Sequence, residues 1–296
     1  MSGRRHETRV PLTGSAAARW LALASMWSLQ YIFMRVAVPV FGIAVVAEGR
    51  ALFAALFLLP WVTWTAHQRI GLREHWREHL TIALVNNVAP FVCFAWAATQ
   101  LPAGYLAVIN GMVPLWTALI AVPVLKEALG AKRVAGFALG LAGVALIVNL
   151  GPVELSWKTA LAAVVGIAGA AFWGWAGVLI KQRSGRVAPM SLAAGSIAFS
   201  ALLMMPLWVA TPPPAAWTMN ATLALIALGA VCSGVAYLPF FTLIRDIGPS
   251  RTLTVGLAVP VLGILWGWLF LGETVTLSML AGTTLVLAAL ALTLRR

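Results

Sequence analysis

The sequence is poor in almost everything that a water-soluble protein displays on its surface. Only 9% of its 296 residues are charged, against roughly 25% in soluble domains. With 61% hydrophobic residues, so little polar surface cannot cover the apolar core, and a soluble fold is excluded. The two cysteines, Cys93 and Cys232, both fall in apolar runs; they exclude a disulfide framework and read as small buried hydrophobes. The four histidines, His6, His67, His75 and His79, lie outside the hydrophobic centres, so no metal site is expected. The chain has no Gly-x-Ser-x-Gly elbow, His-Glu-x-x-His helix or phosphate loop. Nothing therefore points to an enzyme, a nucleotide-driven pump or a bound cofactor. The one sizeable polar segment is residues 1–19. Its small residues Ser15 to Ala18 precede the first apolar run, whereas a signal cleavage site follows one, so a retained tail is expected.

What the chain does have is apolar sequence in long runs. A membrane helix needs roughly 20 apolar residues. Ten stretches qualify: Trp20–Val40, Ala47–Ala66, Leu80–Thr99, Gly104–Leu125, Val134–Leu150, Thr159–Ile180, Pro189–Ala210, Ala221–Ile244, Leu253–Leu271 and Leu277–Leu294. The predicted fold is an all-α integral membrane protein of ten transmembrane helices, with lipid as its surrounding partner. A net charge of +12 suggests nucleic acid in a soluble protein, but here the positions of the charges decide. Of 20 Lys and Arg, 17 fall in alternate connections: Arg4 to Arg19, Arg69 to Arg77, Lys126 to Arg133, Lys181 to Arg186, Arg245 with Arg251, and Arg295 with Arg296. The opposite connections hold only Lys158, with Arg35 and Arg50 near span ends. This is the positive-inside pattern; it places both termini in the cytoplasm and leaves no nucleic-acid partner.

Sliding the sequence over itself by 146 positions pairs Trp27 with Trp173, Phe91 with Tyr237, Phe94 with Phe240, Pro114 with Pro260, Glu127 with Glu273 and Gly136 with Gly282. Each half then holds five spans, and an odd number means that the second half enters the membrane inverted. Inverted repeats are a recurring transporter architecture, because two equivalent halves can exchange shapes at nearly equal energy. A duplication kept only for packing, in a receptor or scaffold, would leave the same trace. The segment Gly104-Tyr105-Leu106-Ala107-Val108-Ile109-Asn110-Gly111-Met112-Val113-Pro114, then Lys126-Glu127 and Gly136, resembles the end of an EamA domain. Ser250 to Pro260, then Gly272-Glu273 and Gly282, resembles a second copy, and Trp27 with Arg35 and Trp173 with Lys181 resemble the two openings. The whole chain is similar to the drug/metabolite transporter superfamily, and within it to bacterial exporters of aromatic and neutral amino acids. The resemblance implies a cytoplasmic tail (1–19), two repeats (20–150 and 159–296), a bacterial inner-membrane location and an amino acid-like substrate. One departure is Lys126, where the family usually has Gly before Glu, which leaves the helix end in the first copy open.

Candidate substrate contacts follow from polar groups inside spans, which are costly in lipid and face a cavity or a partner helix. Asn87, Phe91 and Phe94 share one helix face, and Ser233, Tyr237 and Phe240 occupy the repeat-equivalent positions. Two such faces suit a pocket wall; equally, Asn87 and Ser233 could simply bond neighbouring helices. Trp27, Gln30 and Tyr31 in the first span, Trp173 in the sixth and Asn110 in the fourth complete the predicted set. Pro114 and Pro260 are candidate hinges, since a mid-helix proline removes a hydrogen bond; a static kink is the alternative. Gly263 and Gly267 permit close helix contact, within the fold or in a homodimer. Glu48, Arg35 and Arg50 are placed at the outer mouth, as a gate or as snorkelling side chains. Glu127 and Glu273 are expected to cap helix starts. With no carboxylate deep in a span, transport without a buried proton carrier is predicted, and a carrier for another metabolite or an amphipathic drug is the alternative.

Overall fold

In lipid, every backbone N–H and C=O must be satisfied within the chain, and the computed structural model of the protein meets that demand with helices. It describes residues 14–126, 130–150, 153–154, 156–183, 185–212 and 216–294. No strand occurs among the described residues. Seven helical runs are long and apolar enough to cross a membrane, and two shorter apolar helices follow them. The predicted stretches Trp20–Val40 and Ala47–Ala66 share the first run, Gly14–Thr65.

That first run is not one rod. Gln30 and Arg50 are 20 residues apart, about 30 Å along a straight helix, yet the Arg50 Nη2 donates to Gln30 Oε1 at 2.7 Å. The chain therefore reverses between them, at Gly42, whose φ of 76° and ψ of 173° interrupt the helix. Only glycine occupies this backbone region readily, so one residue without a polar loop turns the chain. The run becomes two antiparallel rods, α1 (14–41) and α2 (43–65). The remaining elements are α3 (Trp76–Ala97), α4 (Ala103–Leu125), α5 (Ala131–Leu150), α6 (Trp157–Gln182), α7 (Pro189–Val209), α8 (Met219–Ile247), α9 (Val255–Leu271) and α10 (Leu277–Leu294).

The repeat is visible in the backbone as well as in residue types. Lys126 after α4 and Gly272 after α9 both adopt the left-handed conformation, at φ 55° and 63°. The departure at Lys126 thus changes the residue and not the turn; Glu127 lies outside the described residues. Wide π-type turns occupy Ala83–Val88 in α3 and Ala230–Val235 in α8. One contains Asn87 and the other Ser233, the pair related by the 146-residue offset. Such turns recur at functional sites because they swing a side chain out of the regular helical register.

Close backbone approach holds the remaining rods. Gly263 of α9 lies directly against Ala107 of α4, and Gly143 of α5 faces Gly282 of α10 so closely that a side chain on Gly143 would sit 2.6 Å from the Gly282 carbonyl. The Gly263 contact is therefore within the fold. Glu273 performs the predicted capping, on a distant helix: its Oε1 accepts from Ala103 N at 2.7 Å and its Oε2 from Gly104 N at 3.1 Å. The start of α4 is thereby tied to the end of α9.

Candidate functional site

Arg50 is the centre of the polar interior. It lies eight residues past the reversal at Gly42, so about 12 Å along α2, and only 5% of it is exposed. Its Nε donates to Ser233 Oγ at 2.8 Å and its Nη2 to Gln30 Oε1 at 2.7 Å. The guanidinium lies over the Phe91 ring at 3.9 Å and within 5.9 Å of the Trp173 ring. Its Nη1 is buried with no partner, and among the described residues no carboxylate pairs with it. α1, α2, α3, α6 and α8 thus converge on one cation through side chains that are all neutral.

This corrects the sequence placement of Arg50 at the outer mouth. The apolar run begins at Ala47, but α2 starts at residue 43 immediately after the reversal, which carries Arg50 inside the bundle. Glu48 moves with it, buried at 1% exposure with an unpartnered Oε2; a carboxylate therefore does lie within a span. Arg35 instead donates to the Ala98 carbonyl at the end of α3, at 2.8 Å. A helix C-terminus favours a cation there. No ion pair joins Glu48 to either arginine among the described residues.

Two corners of the bundle are built alike. Arg50 of α2 and Ser196 of α7 are 146 positions apart, as are Asn87 of α3 and Ser233 of α8. At the first corner Arg50 bonds Ser233, which also donates to the Leu228 carbonyl at 3.2 Å. At the second, Asn87 Nδ2 donates to Ser200 Oγ at 3.0 Å, and Ser200 donates to the Ser196 carbonyl at 2.7 Å. Asn87 Oδ1 accepts from Asn86 Nδ2 at 3.0 Å, so the Asn87 amide is engaged by protein at both ends. Each corner joins two rods through a π-turn residue, but only the first carries charge.

Aromatic side chains enclose the charged corner in two chains. Tyr31, Phe94 and Trp173 follow one another with ring centroids 5.8 and 4.8 Å apart, and the Trp173 Nε1 donates to the Asn86 carbonyl at 2.9 Å. On the other side Trp27 meets Phe240 at 5.4 Å, Phe240 meets Phe241 at 5.2 Å, and Tyr237 stacks on Phe241 at 5.8 Å. Tyr31 and Phe94 are buried, whereas Trp27, Trp173, Tyr237, Phe240 and Asn86 are half-buried.

The structure thus brings Gln30, Phe91, Trp173 and Ser233 to Arg50, joins Tyr31 to Trp173 through Phe94, sets Trp27 against the Gln30 amide and Tyr237 and Phe240 in the ring chain that begins at Trp27, and leaves Asn87 at the equivalent corner. Asn110 stands apart: it is half-buried at the end of Ala103–Asn110 in α4, and its side chain makes no hydrogen bond among the described residues. Pro114 opens the second part of α4, Val113–Leu125, after a turn at Gly111 and Met112. A proline at a helix start removes no needed donor. Pro260 lies inside α9, and a side chain on Gly111 would meet its Cγ at 3.0 Å, so the two proline regions touch. A crevice between α4 and α5 lined by Tyr105, Val108, Ile109, Val144, Ile147 and Val148 is too narrow for a water molecule; it is a packing gap. Sequence reasoning missed Asn86 and Ser200 and placed Arg50 at the mouth and not in the site. The available signal for Arg50 was a cation within eight residues of a lone glycine in otherwise apolar sequence.

The EamA-like transporter family matches the chain twice, over residues 15–149 and 160–295. A Bacillus subtilis protein described as "Uncharacterized transporter YvbV" is 25% identical over 272 residues, covering 91% of this chain and 88% of the relative. A Salmonella typhimurium protein described as "Probable amino-acid metabolite efflux pump" is 26% identical over 284 residues, covering 91% of each. A solved crystal structure superposes with a TM-score of 0.64 at 20% identity, over 94% of this chain and 96% of that one, which establishes likeness of fold.

Proposed function

The chain belongs to the EamA-like transporter family, and we propose that it exports small amino acid-like metabolites, foremost aromatic and neutral amino acids, by alternating access. The observation that carries this reading is the cluster at Arg50, where neutral amide and hydroxyl groups meet a buried cation and the half-buried rings of Trp27, Trp173, Tyr237 and Phe240 lie close by. Aromatic walls with a few placed polar groups are the usual form of a small-molecule site. The named efflux relative agrees in substrate class. An amphipathic drug or another metabolite is the second reading, favoured by the walls alone, since aromatic rings accept any flat apolar body.

In this reading the rods form ten membrane crossings in two inverted five-helix repeats, spanning 20–150 and 159–296, with residues 1–19 as a tail. The distribution of Lys and Arg supports both termini in the cytoplasm of a bacterial inner membrane. Trp27, Asn86, Tyr237 and Phe240 then stand on the cytoplasmic side of Arg50, and the buried Tyr31 and Phe94 close the outer side. Pro114 and Pro260, whose regions touch at Gly111, are the hinges about which the halves rock. Transport is read as running down the solute gradient, because the one buried carboxylate among the described residues, Glu48, makes no ion pair with the Arg50 cluster. Counterflow in proteoliposomes tests this. Vesicles preloaded with unlabelled phenylalanine should transiently accumulate labelled phenylalanine without any ion gradient, and not lysine or glutamate. Tyr237→Ala should abolish the signal in protein that still folds. Uphill uptake driven by a pH gradient alone would overturn the uncoupled mechanism.

A further inference from the structure

Within that carrier reading, we propose that Arg50 is the anchor for a carboxylate on the transported solute. Three features of its setting point there. The guanidinium is withdrawn from water at 5% exposure and has no ion-pair partner among the described residues, a state that is costly unless an anion compensates it. Its neutral neighbours act as a mount: Ser233 holds Nε, Gln30 holds Nη2 and Phe91 lies beneath the face. That mount fixes the plane of the fork and leaves Nη1 without a partner. Arginine presents fixed planar donors that match a carboxylate, so the unengaged edge is a directional site and not a diffuse charge. The buried Tyr31 hydroxyl, one residue beyond Gln30 on the same helix, is also without a partner. The half-buried rings of Trp27, Trp173 and Phe240 lie beside the cluster, where the apolar part of the same solute would rest.

Binding would displace the strain of an unmatched donor onto a charge-assisted bond, and it would do so in either access state, because Arg50 sits between the open and closed sides. The solute's ammonium group finds no carboxylate in the cluster, so the anchor distinguishes solutes by their acid group first. Amino acids, their deaminated acids and their amides therefore separate the chemistry.

The test uses the full chain in proteoliposomes with phenylalanine, 3-phenylpropionate, phenylalaninamide and phenethylamine as counterflow solutes. Wild type should carry the two carboxylates and reject the amide and the amine. Arg50→Gln should raise the KM for carboxylates by about 10- to 100-fold, the span of one lost charge-assisted bond. Arg50→Lys, which keeps the charge and loses the fork, should fall between. In detergent, phenylalanine or 3-phenylpropionate should raise the unfolding temperature of wild type and leave Arg50→Gln unmoved. The apo Arg50→Gln protein should be at least as stable as wild type, which also shows that it folds. Transport of 3-phenylpropionate without any amino acid would sink the amino-acid reading and keep the anchor. Equal transport of phenylalanine and its amide by wild type, an unchanged KM in Arg50→Gln, or no stabilisation by either carboxylate would overturn the anchor.

Discussion

Removing the Glu273 side chain with Glu273→Ala deprives two backbone donors, Ala103 N and Gly104 N, of a carboxylate at 2.7 and 3.1 Å. Helix caps contribute about 0.5–2 kcal/mol, and bonds to a charged group about 1.5–3 kcal/mol each. Glu273 keeps some exposure, which weakens both bonds, so a total loss of about 2–3 kcal/mol is expected. The structure supplies a second handle on the same contact. The three atoms nearest a side chain added at Gly267 all belong to Glu273: its Oε2, its Cδ (3.1 Å) and its Cβ (3.7 Å). Gly267→Ala in wild type should therefore push the cap off and destabilise. In a Glu273→Ala background the obstacle is gone, and the same change should stabilise, because alanine is favoured over glycine in a helix by about 1 kcal/mol. Thermal unfolding of the four proteins in detergent gives the cycle. A Gly267→Ala effect of the same sign in both backgrounds would refute the claim that Glu273 couples α9 to α4.

Two backbone predictions are independent of that contact. Gly42→Ala should destabilise by about 1–3 kcal/mol although nothing lies within 4 Å of the added carbon; an unfolding temperature equal to wild type would show that the reversal does not need its positive φ. Lys126→Gly should stabilise by about 0.5–1 kcal/mol, since Lys126 holds φ 55° where its repeat partner is already glycine. Unfolding temperature again reports it, and a loss would mean that the lysine side chain contributes more than the turn does.

Much of the architecture is legible in residue types, because lipid leaves the chain few choices. Long apolar runs, cations in alternate connections and a shared offset for Trp, Pro and Glu suffice for the family and for most helices. They also pick out the aromatic residues near Arg50 except Phe241. What they miss is set by single residues whose effect is geometric. Gly42 looks like any small residue in an apolar stretch, yet its backbone moves the start of α2 and with it the depth of Arg50 and Glu48. The π turns at Ala83–Val88 and Ala230–Val235 contain no proline, and their Asn and Ser residues fit a regular helix equally well. Nor does spacing within one helix reveal partners such as Ser200, which reach the site from another rod. Pro114 and Pro260 are equivalent in sequence and differ locally, one opening a helix segment and one inside a helix. Each half has diverged in its own neighbourhood.

That divergence is sharpest at the two corners, and it yields the last prediction. Residues 50 and 196 are equivalent in the repeat: the first bonds Ser233 directly, and the second is linked to Asn87 through Ser200. The first holds an arginine with an unengaged edge, and the second a closed network of serine and asparagine. On the alternating-access reading the halves exchange shapes while the solute needs one fixed point, and the anchor proposal assigns that point to the charged corner. Ser233→Ala removes the acceptor that orients the Arg50 Nε, so the fork should tilt and the KM in phenylalanine counterflow should rise about tenfold. Asn87→Ala removes a bond between rods that already satisfies both partners. It should lower stability by about 1–2 kcal/mol while the KM moves less than about twofold. If Asn87→Ala instead raised the KM as far as Ser233→Ala in protein of near-normal stability, Asn87 would touch the solute. The two corners would then share the substrate, and a single charged anchor could not explain recognition.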